Sequence, residues 1–145
     1  MRNENIKTQN ENAICDLLYK QIEAIRNKDI ESCLASYADD VLSFDVVDPL
    51  RFSGKDAIRK RLKEWFSSFE GSVENEFCDL RIEASDNLAF CSRMNHVNAI
   101  RIDGSKLDMW WREDRRTHPN VHFIHQLQNH YLDMTKVHLT NEVMA

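Results

Sequence analysis

The chain has 145 residues, of which 42% are hydrophobic and 30% charged, and its formal net charge at pH 7 is −5. This size and composition predict one globular domain over residues 1–145, with an apolar core. The negative charge argues against nucleic acid or an anionic membrane as a partner, because phosphates require a basic patch. No apolar run is long enough to span a bilayer, and the polar first eleven residues lack the apolar stretch of a signal peptide, so we expect a cytoplasmic protein.

The first 40 residues predict two helices. Apolar residues recur at helical spacing between Ile14 and Ile25, which predicts a helix over about residues 10–27, begun by a capping box at Thr8. Asp29 is suited to N-cap a short second helix whose apolar face ends at Tyr37. Residues 1–9 and 136–145 are expected to be flexible.

The next segment predicts a strand, a turn and a third helix. Residues 41–47 are mostly β-branched or aromatic, with apolar side chains alternating with Ser43 and Asp45. Residues 50–52 predict a second short strand, and the turn at Ser53 and Gly54 leads into an amphipathic helix that Gly71 is expected to end.

The rest of the chain predicts long antiparallel strands, over residues 77–84, 88–102 and 105–116. The apolar spacing over residues 121–134 fits a strand or a helix, and we expect a strand because it would complete the sheet. Asp103 and Gly104 are typical of a two-residue hairpin turn. In that register Arg93 lies opposite Asp114, an opposite-charge pair that supports the pairing. Asn95, Trp110 and Arg112 then share one face of the hairpin.

Helices followed by antiparallel strands predict an α+β fold with the helices on one face of the sheet. The order of short motifs resembles the nuclear-transport-factor-2-like (NTF2-like) superfamily, and within it the ketosteroid-isomerase-like and SnoaL-like polyketide-cyclase group. The motifs are Ser36-Tyr37-Ala38-Asp39-Asp40, Phe44-Asp45, Asp48-Pro49-Leu50, Ser53-Gly54-Lys55-Asp56-Ala57-Ile58, Phe90-Cys91, Asp103-Gly104 and Trp110-Trp111-Arg112.

The resemblance covers about residues 10–116 and implies a cone: a curved antiparallel sheet wrapped around two to three N-terminal helices, with a pocket at the open end. It also implies a homodimer formed through the outer face of the sheet. After Arg112 the sequence departs from the family, because the turn at residues 117–120 lacks the usual Gly and Trp, and only His125 matches the strand that follows. Either part of the site has been lost or compensating frameshifts have altered this stretch.

The resemblance implies that the pocket holds a small apolar, cyclic or polyketide-like carbonyl compound, acted on by a cofactor-independent isomerase or cyclase. A carboxylate at the mouth of an apolar pocket can serve as a general base, which makes Asp45 the candidate. When the chain is aligned with the steroid isomerases, their catalytic base corresponds to Phe44, one residue before Asp45. Because neighbouring residues of a strand point to opposite faces, a purely structural role for the Asp45 carboxylate is an equal alternative. His125 is the second candidate catalytic residue, as an acid, a base or a hydrogen-bond donor.

Six further residues are candidates for binding the ligand. Tyr19 and Tyr37 can each donate a hydroxyl, although core aromatic residues are the simpler reading of both. Trp65 lies on the apolar stripe of the third helix. Asn95, Trp110 and Arg112 can form a polar wall, unless their face of the hairpin is the solvent or dimer face.

Neither a metal nor a cofactor is predicted. Five of the six histidines lie between His118 and His138, but in a strand His122 and His130 stand about 26 Å apart at roughly 3.3 Å per residue, too far for one ion. The sequence contains no phosphate loop, dinucleotide fingerprint or nucleophile elbow. A non-catalytic ligand-binding or association domain remains the alternative function.

Overall fold

The computed structural model describes residues 2–45, 49–85, 88–118 and 122–133, with side chains over 8–45, 49–85 and 88–116. Within these ranges it contains three helices and one six-stranded sheet. The helices are α1 (Arg2–Arg26), α2 (Ile30–Leu34) and α3 (Lys55–Ser67). The strands are β1 (Tyr37–Phe44), β2 (Arg51–Ser53), β3 (Phe69–Ala84), β4 (Ala89–Arg101), β5 (Lys106–His118) and β6 (His122–Asp133).

The strands lie in the order β2-β1-β6-β5-β4-β3, and every neighbouring pair is antiparallel except β1 and β6. The predicted α+β cone, with helices packed on one face of a curved sheet, is confirmed. The final strand in sequence, β6, lies between β1 and β5, so the first and second halves of the chain are joined through it. None of the helices within the described ranges is both long and apolar enough to cross a membrane.

The first two helices follow the predicted apolar pattern but not all of the predicted bounds. Ile14, Leu18 and Ile22 recur every four residues and are buried against the sheet, which explains why α1 is amphipathic. α1 begins at Arg2, so the capping box predicted at Thr8 does not start it. The N-cap prediction for Asp29 is confirmed, because its carboxylate accepts a hydrogen bond from the Ser32 amide at 3.1 Å.

The prediction that Tyr37 lies on the second helix is wrong. α2 ends at Leu34, and Tyr37 is the first residue of β1. The third helix forms as predicted after Gly54, whose φ of +81° favours glycine. It ends at Ser67 instead of near Gly71, which lies inside β3.

The hairpin between β4 and β5 differs from the predicted two-residue turn. The Gly104 amide donates to the Arg101 carbonyl at 2.8 Å, and the Arg101 amide donates to the Ser105 carbonyl, also at 2.8 Å. The loop therefore contains three residues, 102–104, and Gly104 takes the left-handed position with φ +86°.

This extra residue shifts the predicted register by one position. Arg93 lies opposite Glu113 instead of Asp114, and Asn95 lies opposite Trp111 instead of Arg112. Because a shift of one residue reverses the face of a strand, it decides which side chains point toward the helices. The inward positions of β4 are the buried ones, Ala89, Cys91, Arg93, Asn95, Val97 and Ala99.

Candidate functional site

A cavity of about 380 Å³ lies between the three helices and the inner face of the sheet. Its volume is in the range that holds a small cyclic molecule. Much of its wall is apolar, including Phe52, Ile58, Leu62, Trp65, Leu107 and Met109. The remainder includes polar and charged side chains from β1, β3, β4 and β5 and from helices α1 and α3.

The most buried part of this wall is a network centred on Glu113, whose residue is 2% exposed. The carboxylate accepts hydrogen bonds from Arg93 Nε at 2.8 Å, from Asn95 Nδ2 at 3.0 Å and from Arg115 Nη2 at 2.8 Å. Arg93 Nη2 lies 2.6 Å from the same carboxylate. Residues 93 and 95 on β4 and 113 and 115 on β5 alternate inward, so four polar side chains converge on one face of the sheet.

The charge of Glu113 is fixed by its two guanidinium neighbours. Burial alone raises the pKa of Glu113, but the charges and hydrogen bonds of Arg115 and Arg93 outweigh burial and hold the pKa at about 2. Glu113 is therefore ionised at neutral pH and is a poor general base. Its role is to hold the Arg93 and Arg115 side chains in place at the cavity wall.

Helix α1 and strand β1 complete the network. Arg115 Nη1 donates to Gln21 Oε1, and the Arg115 guanidinium lies 5.6 Å from the centre of the Tyr37 ring. Tyr37 lines the cavity, and burial raises the pKa of its hydroxyl. The hydroxyl is thus protonated at neutral pH and able to donate a hydrogen bond.

Asp45 lines the cavity directly after the end of β1. Its side chain is 14% exposed, and Oδ2 lies 3.6 Å from Arg61 Nη2 on α3. Ser43 lines the cavity as well, whereas Phe44 does not, so the alternation of the strand places the carboxylate inward at this point.

Several buried polar atoms of the wall have no hydrogen-bond partner within the described part of the chain. They are both amide atoms of Asn75, Arg93 Nη1, Asn95 Oδ1 and Trp111 Nε1. All four residues line the cavity. These atoms offer both donors and acceptors to a bound molecule.

Four of the eight residues predicted from the sequence meet at this cavity: Tyr37, Asp45, Trp65 and Asn95. Sequence reasoning missed Asn75, Arg93, Glu113 and Arg115. A weak signal for the last three was present, because charged residues at alternate positions of two paired strands meet on one face.

Three predicted ligand-binding residues lie outside the cavity. Tyr19 is 63% exposed and contacts the Phe77 ring, because it lies one position beyond the buried Leu18 on α1. Trp110 stacks on His96 with ring centres 4.0 Å apart, and Arg112 pairs with Asp114 at 3.3 Å. Both latter placements follow from the register shift of the hairpin.

His125 lies on β6, where its backbone is opposite Leu42 of β1 and Arg116 of β5. Its side chain is outside the described residues, so its catalytic role stays a prediction. The side chains of the other four histidines between His118 and His138 are also outside the described residues.

The SnoaL-like domain family matches residues 14–113. The chain therefore belongs to the SnoaL-like domain family. None of the curated proteins matches the sequence significantly.

Solved structures share the fold. An NTF2-like protein of unknown function from Pseudomonas putida KT2440 is 26% identical with a TM-score of 0.71, over 88% of this chain and 90% of that one. A putative scytalone dehydratase from Novosphingobium aromaticivorans is 13% identical with a TM-score of 0.74, over 90% and 91%. A putative calcium/calmodulin dependent protein kinase II association domain from Xanthomonas campestris is also 13% identical, with a TM-score of 0.69, over 86% and 87%. At such identities the last two show the fold alone.

Proposed function

We propose that this protein is a small-molecule enzyme of the isomerase or cyclase kind, acting without a cofactor on a cyclic or polyketide-like carbonyl compound. The observation that carries the proposal is the largely buried Asp45 carboxylate on the wall of an otherwise mostly apolar cavity. A carboxylate in such surroundings can remove a proton from the carbon next to a carbonyl group.

In the proposed reaction, Asp45 takes that proton and the C–H electron pair moves to the carbonyl oxygen, giving an enolate. An isomerase returns the proton from Asp45 to another carbon of the same conjugated system. A cyclase instead uses the enolate carbon to attack a second carbonyl of the same chain, whose C=O π pair moves to its oxygen, and that oxygen takes the proton back from Asp45. Arg61 Nη2 lies 3.6 Å from Asp45 Oδ2 and orients the carboxylate before substrate binds.

The enolate oxygen needs donors in a water-poor site. Arg112, which the sequence predicted as part of a polar wall of the pocket, has its side chain outside the cavity. Asn75 Nδ2 takes the role of donor to the enolate oxygen in the proposal, because it is a buried cavity donor with no partner within the described residues. His125 remains a candidate from the sequence.

Asp45→Asn tests the proposal, because the amide keeps the volume of the side chain and removes its basicity. We expect turnover to fall by about 10²–10⁴-fold, with thermal unfolding nearly unchanged. The measurement is NMR-detected exchange of α-protons for deuterium, and turnover, over a panel of cyclic ketones and aromatic polyketides.

Asp39→Asn is the matched control, because Asp39 lies on the same strand with a fully exposed side chain. It should keep wild-type exchange. Full activity in Asp45→Asn would overturn the assignment of the base.

A ligand-binding protein without catalysis is the second candidate. The observation in its favour is that both cavity carboxylates are already paired, Glu113 with Arg93 and Arg115, and Asp45 with Arg61. This alternative expects ligands to raise the unfolding temperature while no proton exchange occurs above the background rate.

We further propose that the protein forms a homodimer through the outer face of its sheet. Phe90 and Ile100 lie on β4, away from the helices, and are 43% and 41% exposed. Trp110 of the neighbouring strand lies on the same face, because its pair partner His96 alternates outward with Phe90. Apolar side chains on a sheet face suit burial against a second copy.

A further inference from the structure

The cavity wall is positively charged although the whole protein is acidic. Four arginines line it, Arg61, Arg93, Arg101 and Arg115, against the two carboxylates of Asp45 and Glu113, a formal excess of two positive charges. The chain as a whole has a net charge of −5. Charge of one sign in a cleft with apolar walls attracts ligands of the opposite sign.

The most buried part of this positive charge belongs to the network around Glu113. Arg93 and Arg115 share one carboxylate, so this buried group carries one net positive charge. An anion bound beside Arg93 adds negative charge next to this buried, formally positive group, which is favourable where the surroundings are dry. Glu113 does not repel the anion decisively, because three donor side chains already occupy its oxygens.

Two donors beside this network are suited to receive an anion. Arg93 is 3% exposed, and its Nη1 has no partner among the described residues. Trp111 Nε1 is also buried and without a partner there. Trp111 lies opposite Asn95, and Glu113 lies opposite Arg93, so the two donors belong to adjacent pairs of the β4–β5 ladder, within reach of one ligand group.

We propose that the natural ligand of this cavity carries a carboxylate, which binds Arg93 and Trp111 while its ring contacts the apolar wall. This inference rests on the proposed function in one respect only, namely that the ligand binds in this cavity. It narrows the ligand from a neutral carbonyl compound to a cyclic carboxylic acid. Arg93 Nη1 and the indole N–H of Trp111 are two N–H donors that suit the two oxygens of a carboxylate, one each.

The test compares three carboxylates with their uncharged amides of equal shape: benzoate, cyclohexanecarboxylate and 2-naphthoate, each measured by calorimetry on the wild-type chain at neutral pH. We expect at least one acid to bind about tenfold or more tightly than its amide. Equal binding within every pair, a preference for the amides, or no binding of any acid overturns the inference.

A pair of conservative variants locates the carboxylate. Trp111→Phe removes the indole N–H and keeps an aromatic ring, and it should weaken the acid about tenfold while changing the amide less than about twofold. Trp65→Phe makes the same replacement elsewhere in the cavity and should affect acid and amide alike. Equal losses for acid and amide in Trp111→Phe would remove Trp111 from the anion site.

These measurements are independent of catalysis. If the wild-type protein shows no proton exchange above the background rate, a preference for acids still stands as a property of the cavity. If acids show no preference, the inference fails even where ketones are turned over.

Discussion

Two carboxylates line the same cavity in opposite situations. Glu113 is enclosed by two guanidinium groups, with a pKa held at about 2, whereas Asp45 has one guanidinium at 3.6 Å and a side chain that is 14% exposed. Glu113 is committed to holding two arginines, whereas Asp45 lies at the cavity wall beside Arg61 alone among the described arginines. This difference is why the proposed base is Asp45.

Replacing Glu113 tests how the network contributes to stability. Glu113→Gln leaves Arg93 and Arg115 buried without their shared counter-charge, so we expect the free energy of unfolding to fall by about 3–5 kcal/mol. Urea denaturation at neutral pH measures it. Asp56→Asn removes one carboxylate from an exposed pair with Arg59 and should leave the free energy of unfolding nearly unchanged.

The same variant gives a pH dependence with a defined sign. Because folding lowers the pKa of Glu113 from 4.5 to about 2, its contribution to stability is present above 4.5 and is lost as the pH falls toward 2. The loss of stability on acidification should therefore be smaller in Glu113→Gln than in the wild type. Parallel curves for the two proteins would contradict this account of the network.

Among single residues, the sequence identified those whose type alone indicates a pocket. Asp45 after a short strand, Trp65 on an apolar stripe and Tyr37 all line the cavity. Arg93 and Glu113 were missed because a charged residue in a strand is usually solvent-exposed. Their burial depends on partners across the sheet, which a sequence shows only once the register is known.

At the scale of elements, one histidine joins three strands on the outer face of the sheet. His96 on β4 lies 2.8 Å from Glu76 on β3 through Nδ1 and 2.7 Å from Asp108 on β5 through Nε2. Asn98 lies 3.2 Å from Nε2, and Trp110 stacks on the ring. Two carboxylates on two ring nitrogens favour the doubly protonated imidazolium.

His96 therefore predicts a stability change near neutral pH. Burial lowers the pKa of His96, but the hydrogen bonds and charges of Glu76 and Asp108 outweigh it and raise the pKa above 6.5. A raised pKa stabilises the fold fully below 6.5, and this contribution is lost as the pH rises through the folded-state value. We expect the difference in unfolding free energy between wild type and His96→Gln to shrink from about pH 5.5 to about pH 8.5.

Chemical denaturation of both proteins at a series of pH values measures that difference. His96→Gln is suitable because the amide keeps one donor and does not titrate. A difference that stays constant over the range would show that the imidazole is not the titrating link between the strands.

The position of the hairpin between β4 and β5 was predicted from the sequence, but the length of its loop was not. Asp103 and Gly104 correctly predicted a tight turn between two long strands, but Gly104 fits both a two-residue turn and the last position of a three-residue loop. Both require a positive φ at glycine, so the residue type cannot distinguish them. The one-residue difference moved Trp110 and Arg112 out of the predicted pocket wall and brought Trp111 and Glu113 into it.

At the scale of the whole molecule, the family resemblance predicted the cone, and the family match ends at residue 113. Beyond that point Arg115 is buried in the network with Glu113 and Gln21, so the chain remains integrated in the fold where it departs from the family pattern. The spacing of apolar residues in β6 fits a strand or a helix, and the strand was predicted because it would complete the sheet. Its position between β1 and β5 could not be predicted, because strand order depends on contacts between distant parts of the chain.

The proposed homodimer makes the last prediction. Phe90→Asp places a charge on the outer face of β4, and burying that charge against a second copy is unfavourable. We expect the dimer to dissociate to monomers while the unfolding temperature of the monomer fold is kept, since Phe90 lies on the face opposite the helices. Sedimentation velocity at micromolar concentration measures the mass of the wild type and the variant.

Leu50→Asp is the matched control, because Leu50 is 56% exposed but lies next to β2, at the opposite edge of the sheet from β3 and β4. It should leave the dimer intact, which separates a specific interface from general surface hydrophobicity. A monomeric wild type, or equal dissociation of both variants, would contradict the outer face as the interface. Because the cavity lies on the other side of the sheet, a monomeric Phe90→Asp that still binds ligand would also show that each subunit forms a complete site.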